Sequence, residues 1–469
     1  MKPLKLHESL ADFRAEREVD ELTRERLRDL VREFNAHARP NAIKRKYYEG
    51  DIRLSEVNLG LALPKGMRGL EIHCAWGEKA VDVLAARSRF DGFVGRNGEA
   101  AETVNQIARD NYLTAEYPMA ARNELTYGCD FVTLSRDPKI GCRIRFHSPE
   151  TAAALWSDEA GRIDCGLAVS SVRRGRYGME PTEVLFYDES ATWDLRLDER
   201  GRWYLDELEE HRLGRPLMVP LTWNATRAKP FGRSRLKKSI RSLIQGYVRT
   251  LANATIALEF STAPQKYLLG VTDDQYGTVT SDKFRAYVGS LIAATQNPET
   301  GQNPEFGQLP QGTLEPHIAM LRMLATQFSA ASGLTVTDVG VVNDANPTSS
   351  DAILAQSQTL VLMAEHLNAG NGDALQTIAQ MATAIARGVR LDELTDDERG
   401  VMAHFRNPAM PSVSVTADAA MKIASARQGF AQTDTFLEMV GFDLPDVRRI
   451  DAEEVRARGL AIVEALEAE

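Results

Sequence analysis

The spacing of apolar positions divides the chain into a helical start, a β-rich middle and a helical second half. From about Leu10 to Ala38 a charge-dense stretch carries Leu22, Leu27, Leu30 and Phe34 as an apolar stripe, and the Arg39-Pro40 step is expected to end that helix. An aromatic pair within Lys44–Asp51 leads into a turn at Gly50-Asp51. A second helix is expected over roughly Trp76–Arg89, with Ala80, Val83 and Leu84 inward, closing into a turn at Phe90–Phe93. A third runs from near Glu99 to about Tyr112. From Tyr127 the pattern shortens. Segments starting at Gly128, Cys142, Ile163, Thr182 and Arg202 alternate or cluster β-branched and aromatic residues between turn signals, and read as strands of a module ending near Trp223.

The stretch from Gly232 to Pro264 stands out. Leu236, Ile240, Leu243, Tyr247, Leu251, Thr255 and Leu258 recur at three- and four-residue steps, which predicts one long amphipathic helix stopped by Pro264. Arg233, Arg235, Lys237, Lys238, Arg241 and Arg249 are its only charged residues before Glu259. A rod of up to about 45 Å, at about 1.5 Å per residue, with a basic block suggests a strut beside a polyanion or an acidic partner. A solvated surface helix with a wet basic face is the plainer alternative.

Beyond it, Gln265–Thr272 reads as a strand and Ser281–Thr295 as a short helix. Gln296–Thr313 is a polar, Pro- and Gly-rich loop. A second apolar helix spans Leu314–Ser332, with Leu314, Ile318, Leu321, Leu324, Ala325 and Phe328 on one side and Gly333 as its C-cap. Leu334–Asp351 has no helical signal until the N-cap chemistry of Thr348–Asp351. A long helix then runs from Ala352 to about Arg387, with an interruption expected near Gly370-Asn371-Gly372. Phe405–Val415 reads as an extended return, and two charged helices follow over Asp418–Met439 and Asp451–Glu469.

At 469 residues the chain can hold several domains, and 43% hydrophobic with 26% charged residues fits a globular protein. No apolar run approaches the roughly 18 residues of a membrane span, and the N-terminus lacks a signal-peptide core, so a cytoplasmic site of synthesis is expected. Cys74, Cys129, Cys142 and Cys165 show no metal-ligand or disulfide spacing. A net charge of −10 argues against wrapping of nucleic acid by the whole surface, though a local basic strip remains compatible with it.

Enzymatic constellations are missing from the sequence. It has no phosphate-cradling G-x-x-x-x-G-K-[ST], no H-E-x-x-H, no G-x-S-x-G and no G-x-G-x-x-G. The eight histidines are scattered singly, and acid pairs such as Asp273-Asp274 and Asp396-Asp397 sit in turn-like contexts. No catalytic residue, metal or cofactor is expected.

The order of elements, together with several local stretches, resembles the portal proteins of tailed bacteriophages, in the branch typical of long-tailed phages of actinobacteria. The stretches are YYEGD at Tyr47–Asp51, AVDVLAARSRFDGF at Ala80–Phe93, YGCDFVTLSRD at Tyr127–Asp137, FGRSRLKKSIRSLIQ at Phe231–Gln245 and NPTSSDAILAQSQTLVLMAE at Asn346–Glu365. The resemblance covers almost the whole chain from about residue 15; each stretch is soft alone, and their joint order is specific.

It implies an α+β fold with an α/β wing over 1–230, stem helices over 231–263 and 314–333, and a small α/β clip over 264–313. A channel loop over 334–351, a long kinked helix with a wing return over 352–417 and a helical crown over 418–469 complete it. It further implies a ring of twelve copies at one vertex of the virion head, with double-stranded DNA passing through. The implied partners are the terminase large subunit, the major capsid protein, scaffold and a head-tail adaptor, with no membrane.

Within the implied channel loop, Asp338, Asn343, Asp344 and Asn346 offer small polar groups without Lys or Arg, able to touch DNA without multi-phosphate ion pairing. Arg235, Lys237, Lys238 and Arg241 are the candidate basic residues of the first stem helix. Two competing readings are a nucleic-acid-processing enzyme gripping substrate with the basic strut, and a monomeric head or adaptor protein. The missing nucleotide and metal motifs oppose the first. Paired apolar helices flanking a polar loop oppose the second.

Overall fold

The computed structural model describes residues 3–52, 72–96, 98–175, 178–262, 266–269, 305–308, 313–340, 350–409, 413–427, 429–442 and 444–467, with the single positions 296, 301 and 303. In chain order the elements are α1 (Glu21–Tyr48), α2 (Trp76–Ala85), β1 (Phe90–Val94), α3 (Gly98–Asp110), α4 (Leu113–Tyr127), β2 (Cys129–Asp137) and β3 (Gly141–His147). Then come β4 (Ala152–Ser157), β5 (Arg162–Arg174), β6 (Met179–Tyr187), β7 (Ala191–Leu197), β8 (Trp203–Glu210), β9 (Met218–Thr222) and α5 (Lys238–Thr262). After β10 (Lys266–Leu269), β11 (Glu305–Gln308) and α6 (Glu315–Ser332) the chain enters α7 (Ser350–Arg387). It ends with α8 (Asp396–Arg399), β12 (Met402–Phe405), α9 (Val413–Ala426), α10 (Asp434–Val440) and α11 (Leu444–Glu467).

Two compact units emerge. The first comprises residues 1–51, 75–241 and 330–469; the second comprises 52–74 and 242–329. In the first, β4 to β8 form a five-stranded antiparallel meander in sequence order, while β2 pairs with both β3 and β9 in a separate three-stranded sheet. The meander's inner face, with Val184, Phe186, Trp193 and Leu195, packs on Leu27, Leu30 and Phe34 of α1, on Leu10 of a 3-10 turn at Glu8–Asp12 and on Phe13 just after it. Side chains standing on alternate strand positions meet a helical stripe there, and this apolar burial is the main drive for the layer. In the second unit, β10 and β11 pair antiparallel. Ile244, Val248 and Ala252 of α5 are buried, as are Leu324, Ala325 and Phe328 of α6.

Several elements differ from the sequence expectation. Pro40 does not end α1, which continues to Tyr48. Tertiary anchors hold the turns beyond the proline: Asn41 Nδ2 donates to the Pro149 carbonyl at 2.9 Å, Lys44 Nζ to the Tyr127 carbonyl at 2.7 Å, and Tyr48 Oη to Asp82 at 3.0 Å. They offset the lost backbone bond. The expected turn at Phe90–Phe93 is strand β1, paired antiparallel with β12 about 300 residues away and irregular at Gly92. Helix α4 and strands β4, β7 and β9 were not anticipated, and β11 lies inside the expected polar loop. The first of the two closing helices starts earlier, at Val413, and the segment breaks into α9 and α10. The helix expected over Ser281–Thr295 lies outside the described residues.

Helix α7 runs unbroken over 38 residues, without the expected interruption at Gly370–Gly372. Asn371 supplies the reason. It is fully buried, and its Nδ2 donates to Tyr117 Oη and to Glu124 Oε2, both at 2.9 Å. Tyr117 Oη also lies 2.7 Å from Ser88 Oγ, which donates to Asn368 Oδ1 at 2.6 Å. This polar chain links α7 to α4 and to the segment between α2 and β1 inside the protein, so the helix is anchored where its glycines would loosen it.

Glu124 is fully buried, one oxygen facing Asn371, and among the described residues it has no counter-charge and its other oxygen no partner. Burial pushes its pKa up to about 8. Asp130, buried nearby, is raised well above the usual carboxylate range for the same reason.

The chain leaves the first unit near Arg241 and re-enters it near Ala330. Arg235, within the first unit, fastens both passages. Its Nε donates to the Ala80 carbonyl of α2 at 2.6 Å and its Nη2 to the Ser332 carbonyl at the end of α6 at 2.6 Å. Its guanidinium also faces Trp223, 5.8 Å from the ring centre. Burial lowers its pKa to about 10, so it stays charged at neutral pH.

Two consequences are measurable. Glu124 is protonated in the fold where the unfolded chain, with a pKa of about 4.3, has lost the proton. Stability from this group is therefore full below about pH 4.3 and is lost as pH rises toward 8. Glu124→Gln is expected to lessen the stability decline between about pH 5 and 8 by a few kcal/mol, read by urea unfolding across that range; an unchanged slope contradicts it. Because Asp130 has the same sign, the slope is reduced rather than abolished. Arg235→Met is expected to cost about 3 kcal/mol or more, since it strands two buried carbonyls that accept from a charged donor. Arg235→Lys, which keeps the charge and loses the fork, is expected to cost less. Equal stability of all three proteins would remove the clamp.

Candidate functional site

The basic block and the candidate loop are the features on which function was expected to rest. The P-F-G-R-S segment ahead of the block is a backbone device. Gly232 sits at φ +69°, and a Cβ there would collide with the carbonyl oxygens of Gly128 and Trp223. Arg233 N donates to the Trp223 carbonyl at 2.8 Å, and Ser234 Oγ to the Thr126 carbonyl at 2.5 Å. Ser234 Oγ in turn accepts from Leu236 N at 2.9 Å. The segment is thus stitched to the α4–β2 junction before α5 begins.

The helix starts at Lys238 rather than Gly232. Arg235 and Lys237 therefore precede it, Lys238 is its first residue and Arg241 lies in its first turn. The expected single basic helix face is corrected: Arg235 is buried in the interior clamp and offers nothing to solvent. Lys237 and Lys238 are exposed, and so are Arg233 and Arg249. Arg241 is half-buried with its guanidinium 5.6 Å from the ring centre of Tyr47. The apolar stripe of α5 is also rotated from the expectation. Ile240, Ile244, Val248 and Ala252 are the buried positions, Leu243, Tyr247 and Leu251 flank them, and Leu258 is exposed. A strict four-residue repeat gives a narrower stripe than the mixed three-and-four pattern. Ile244 went unselected in the sequence because its apolar neighbour Leu243 fits the same spacing.

Of the candidate loop, Asp338 is described; Asn343, Asp344 and Asn346 lie outside the described residues. Asp338 closes a tight turn after α6. Its Oδ2 accepts from Thr335 N at 3.0 Å and from Thr335 Oγ1 at 2.8 Å, while its own N–H donates to the Thr335 carbonyl at 3.1 Å. Gly333, at φ +72°, caps α6, and Leu334 is buried beside it. The loop therefore departs from an anchored root, Arg235 holding the Ser332 carbonyl and Leu334 inside.

The four cysteines are buried. Among the described residues no three His, Cys, Asp or Glu side chains are placed to hold a metal ion, and no helix is long and apolar enough to cross a membrane.

No protein-family model matches the chain. Comparison with solved structures returns the virion of a native gene transfer agent particle, 10% identical with a TM-score of 0.45, covering 86% of this chain and 93% of that one. A neck structure of the empty particle gives 11% identity and the same TM-score over 79% and 90%. Among curated proteins, the portal protein of Mycobacterium phage D29 is 25% identical over 457 residues, 94% of this chain and 90% of the relative. The portal protein of Mycobacterium phage L5 is 24% identical over 450 residues, 93% and 89% of the two chains. Matched over more than nine-tenths of its length by both relatives, the chain is similar to the portal proteins of tailed bacteriophages.

Proposed function

We propose that the chain is the subunit of a ring of twelve copies that forms the DNA conduit at the unique head vertex, serving genome packaging, head-tail joining and DNA ejection. The observation that carries this reading is the near-full-length kinship with two mycobacteriophage portal proteins. Under it, 1–230 is the wing, 231–263 and 314–333 the stem, 264–313 the clip, 334–351 the channel loop, 352–417 the long helix with its wing return and 418–469 the crown. Terminase docks at the clip during packaging and a head-tail adaptor later; capsid protein and scaffold meet the outer wall. The chain works as a scaffold and a passage and performs no chemistry of its own.

Surface chemistry supports assembly. Met421, Val455 and Leu460 of the C-terminal helices are 60% or more exposed. So, to a lesser degree, are Ile318, Met320 and Met323 on α6. Apolar side chains grouped along helices in this way suit burial against neighbouring copies. A net charge of −10, repeated by symmetry, suits a passage through which a polyanion slides without sticking. Asp338, Asn343, Asp344 and Asn346 belong to a loop free of cations, and that composition avoids the phosphate ion pairs that would arrest DNA.

Native mass spectrometry of the purified protein, with and without scaffold, tests the ring. A closed species near twelve copies supports it, whereas a stable monomer in both conditions that cleaves or unwinds DNA on adding metal overturns it in favour of a processing enzyme. Asp344→Lys is expected to leave ring formation intact and lower packaged DNA several-fold, because twelve new cations would grip the phosphates. Unchanged packaging would take that loop off the channel.

A further inference from the structure

A cleft of about 520 Å³ opens in the first unit between α1, the edge of the sheets and the segment leading into α5. Its floor is apolar, with Phe34, Phe131, Phe231 and Ala153. Its walls carry five cations: Lys44, Lys229, Arg233, Lys237 and Arg241. The one carboxylate lining it, Glu33, is engaged with His37 at 2.8 Å.

None of the five cations makes an ion pair with a described carboxylate. Lys44 Nζ is held by neutral acceptors alone, the Tyr127 carbonyl at 2.7 Å and Asn41 Oδ1 at 3.2 Å. Burial lowers its pKa, and the neighbouring charges of Arg241 and Lys229 push the same way. Arg241 Nε is buried without a hydrogen-bond partner. The first turn of α5 holds no acidic residue, so the positive end of its dipole adds to the same field. Cations gathered against one another and against a helix N-terminus cost the subunit stability. In an acidic chain, with 66 Asp and Glu against 56 Lys and Arg, that arrangement is locally uncompensated.

We infer that this cleft is a subunit-joining site, completed by an acidic segment of a second copy of this chain whose carboxylates meet Lys44, Lys229, Arg233, Lys237 and Arg241 while an adjoining apolar side chain rests on Phe34 and Phe231. It rests on the ring reading above. A carboxylate-bearing peptide fits better than a DNA backbone on two grounds. The apolar floor has no counterpart in a phosphate chain, and Lys44 is half-buried and already held by two neutral acceptors, which suits one carboxylate better than a run of phosphates. The acidic surplus of each copy supplies the complementary charge. Such pairing sets the register between copies and quickens their encounter, and it weakens with salt.

The test uses a mixture of natural-abundance and ¹⁵N-labelled full-length protein under assembly conditions, treated with a carbodiimide that joins amines to carboxylates in contact. Peptide mass spectrometry then reads which chains are joined. Links from Lys44, Lys229 or Lys237 to an Asp or Glu peptide of the other isotope are expected. In parallel, Arg233→Glu with Lys237→Glu, both exposed positions, is expected to raise the concentration needed for rings about tenfold or more, while the monomer unfolds at the same or a higher urea concentration because the crowding of cations is relieved. Wild-type rings lacking cross-chain links at these lysines overturn the site and leave the ring reading standing, as does a double variant that assembles like wild type. A wild-type protein that stays monomeric with no cross-chain links overturns both.

Discussion

One buried guanidinium sits where the chain leaves and re-enters the first unit. Arg235 reaches the Ala80 carbonyl of α2 and the Ser332 carbonyl at the end of α6, and lies against Trp223. A cation at the C-terminal carbonyls of a helix meets the negative end of its dipole, so the contact with Ser332 has the favourable polarity. Only Arg offers donors in a planar fork that satisfy two carbonyls from separate elements at once. The chain departs toward α5 just after this residue and returns just before Ser332, so a single side chain fixes where the helical excursion starts and ends.

A second constraint is the buried polar chain of Asn371, Tyr117, Ser88 and Asn368, with Glu124 attached. It lets a glycine-bearing helix of 38 residues continue past the point where sequence alone suggests a break. Its cost is a carboxyl kept neutral by burial, which ties stability to pH. The two devices resemble each other in logic: polar groups taken from water are fully matched on most sides, and the unmatched atoms mark where the fold responds to its surroundings.

What the sequence revealed followed local periodicity. The stripe of Leu27, Leu30 and Phe34, the alternation in β2, β5 and β6, and the Gly333 cap were all legible because each depends on residues within a few positions. What stayed hidden depended on partners far along the chain. Strand β1 needs β12, α1 needs Pro149, Tyr127 and Asp82 to outlast Pro40, and Asn371 needs Glu124 and Tyr117. Arg235 read as one of a row of surface cations because charge type gives no sign of burial. The resemblance carried by ordered short stretches reached the likeness to portal proteins where single motifs could not.

The central claim is that copies of this chain close around DNA with the loop after α6 on the inside. An electron cryo-microscopy map of the assembled protein tests it most directly. The account predicts a closed ring whose axial passage admits a duplex and is lined by residues 334–351. An assembly without an axial opening, or a ring bearing those residues on its outer wall, would contradict it.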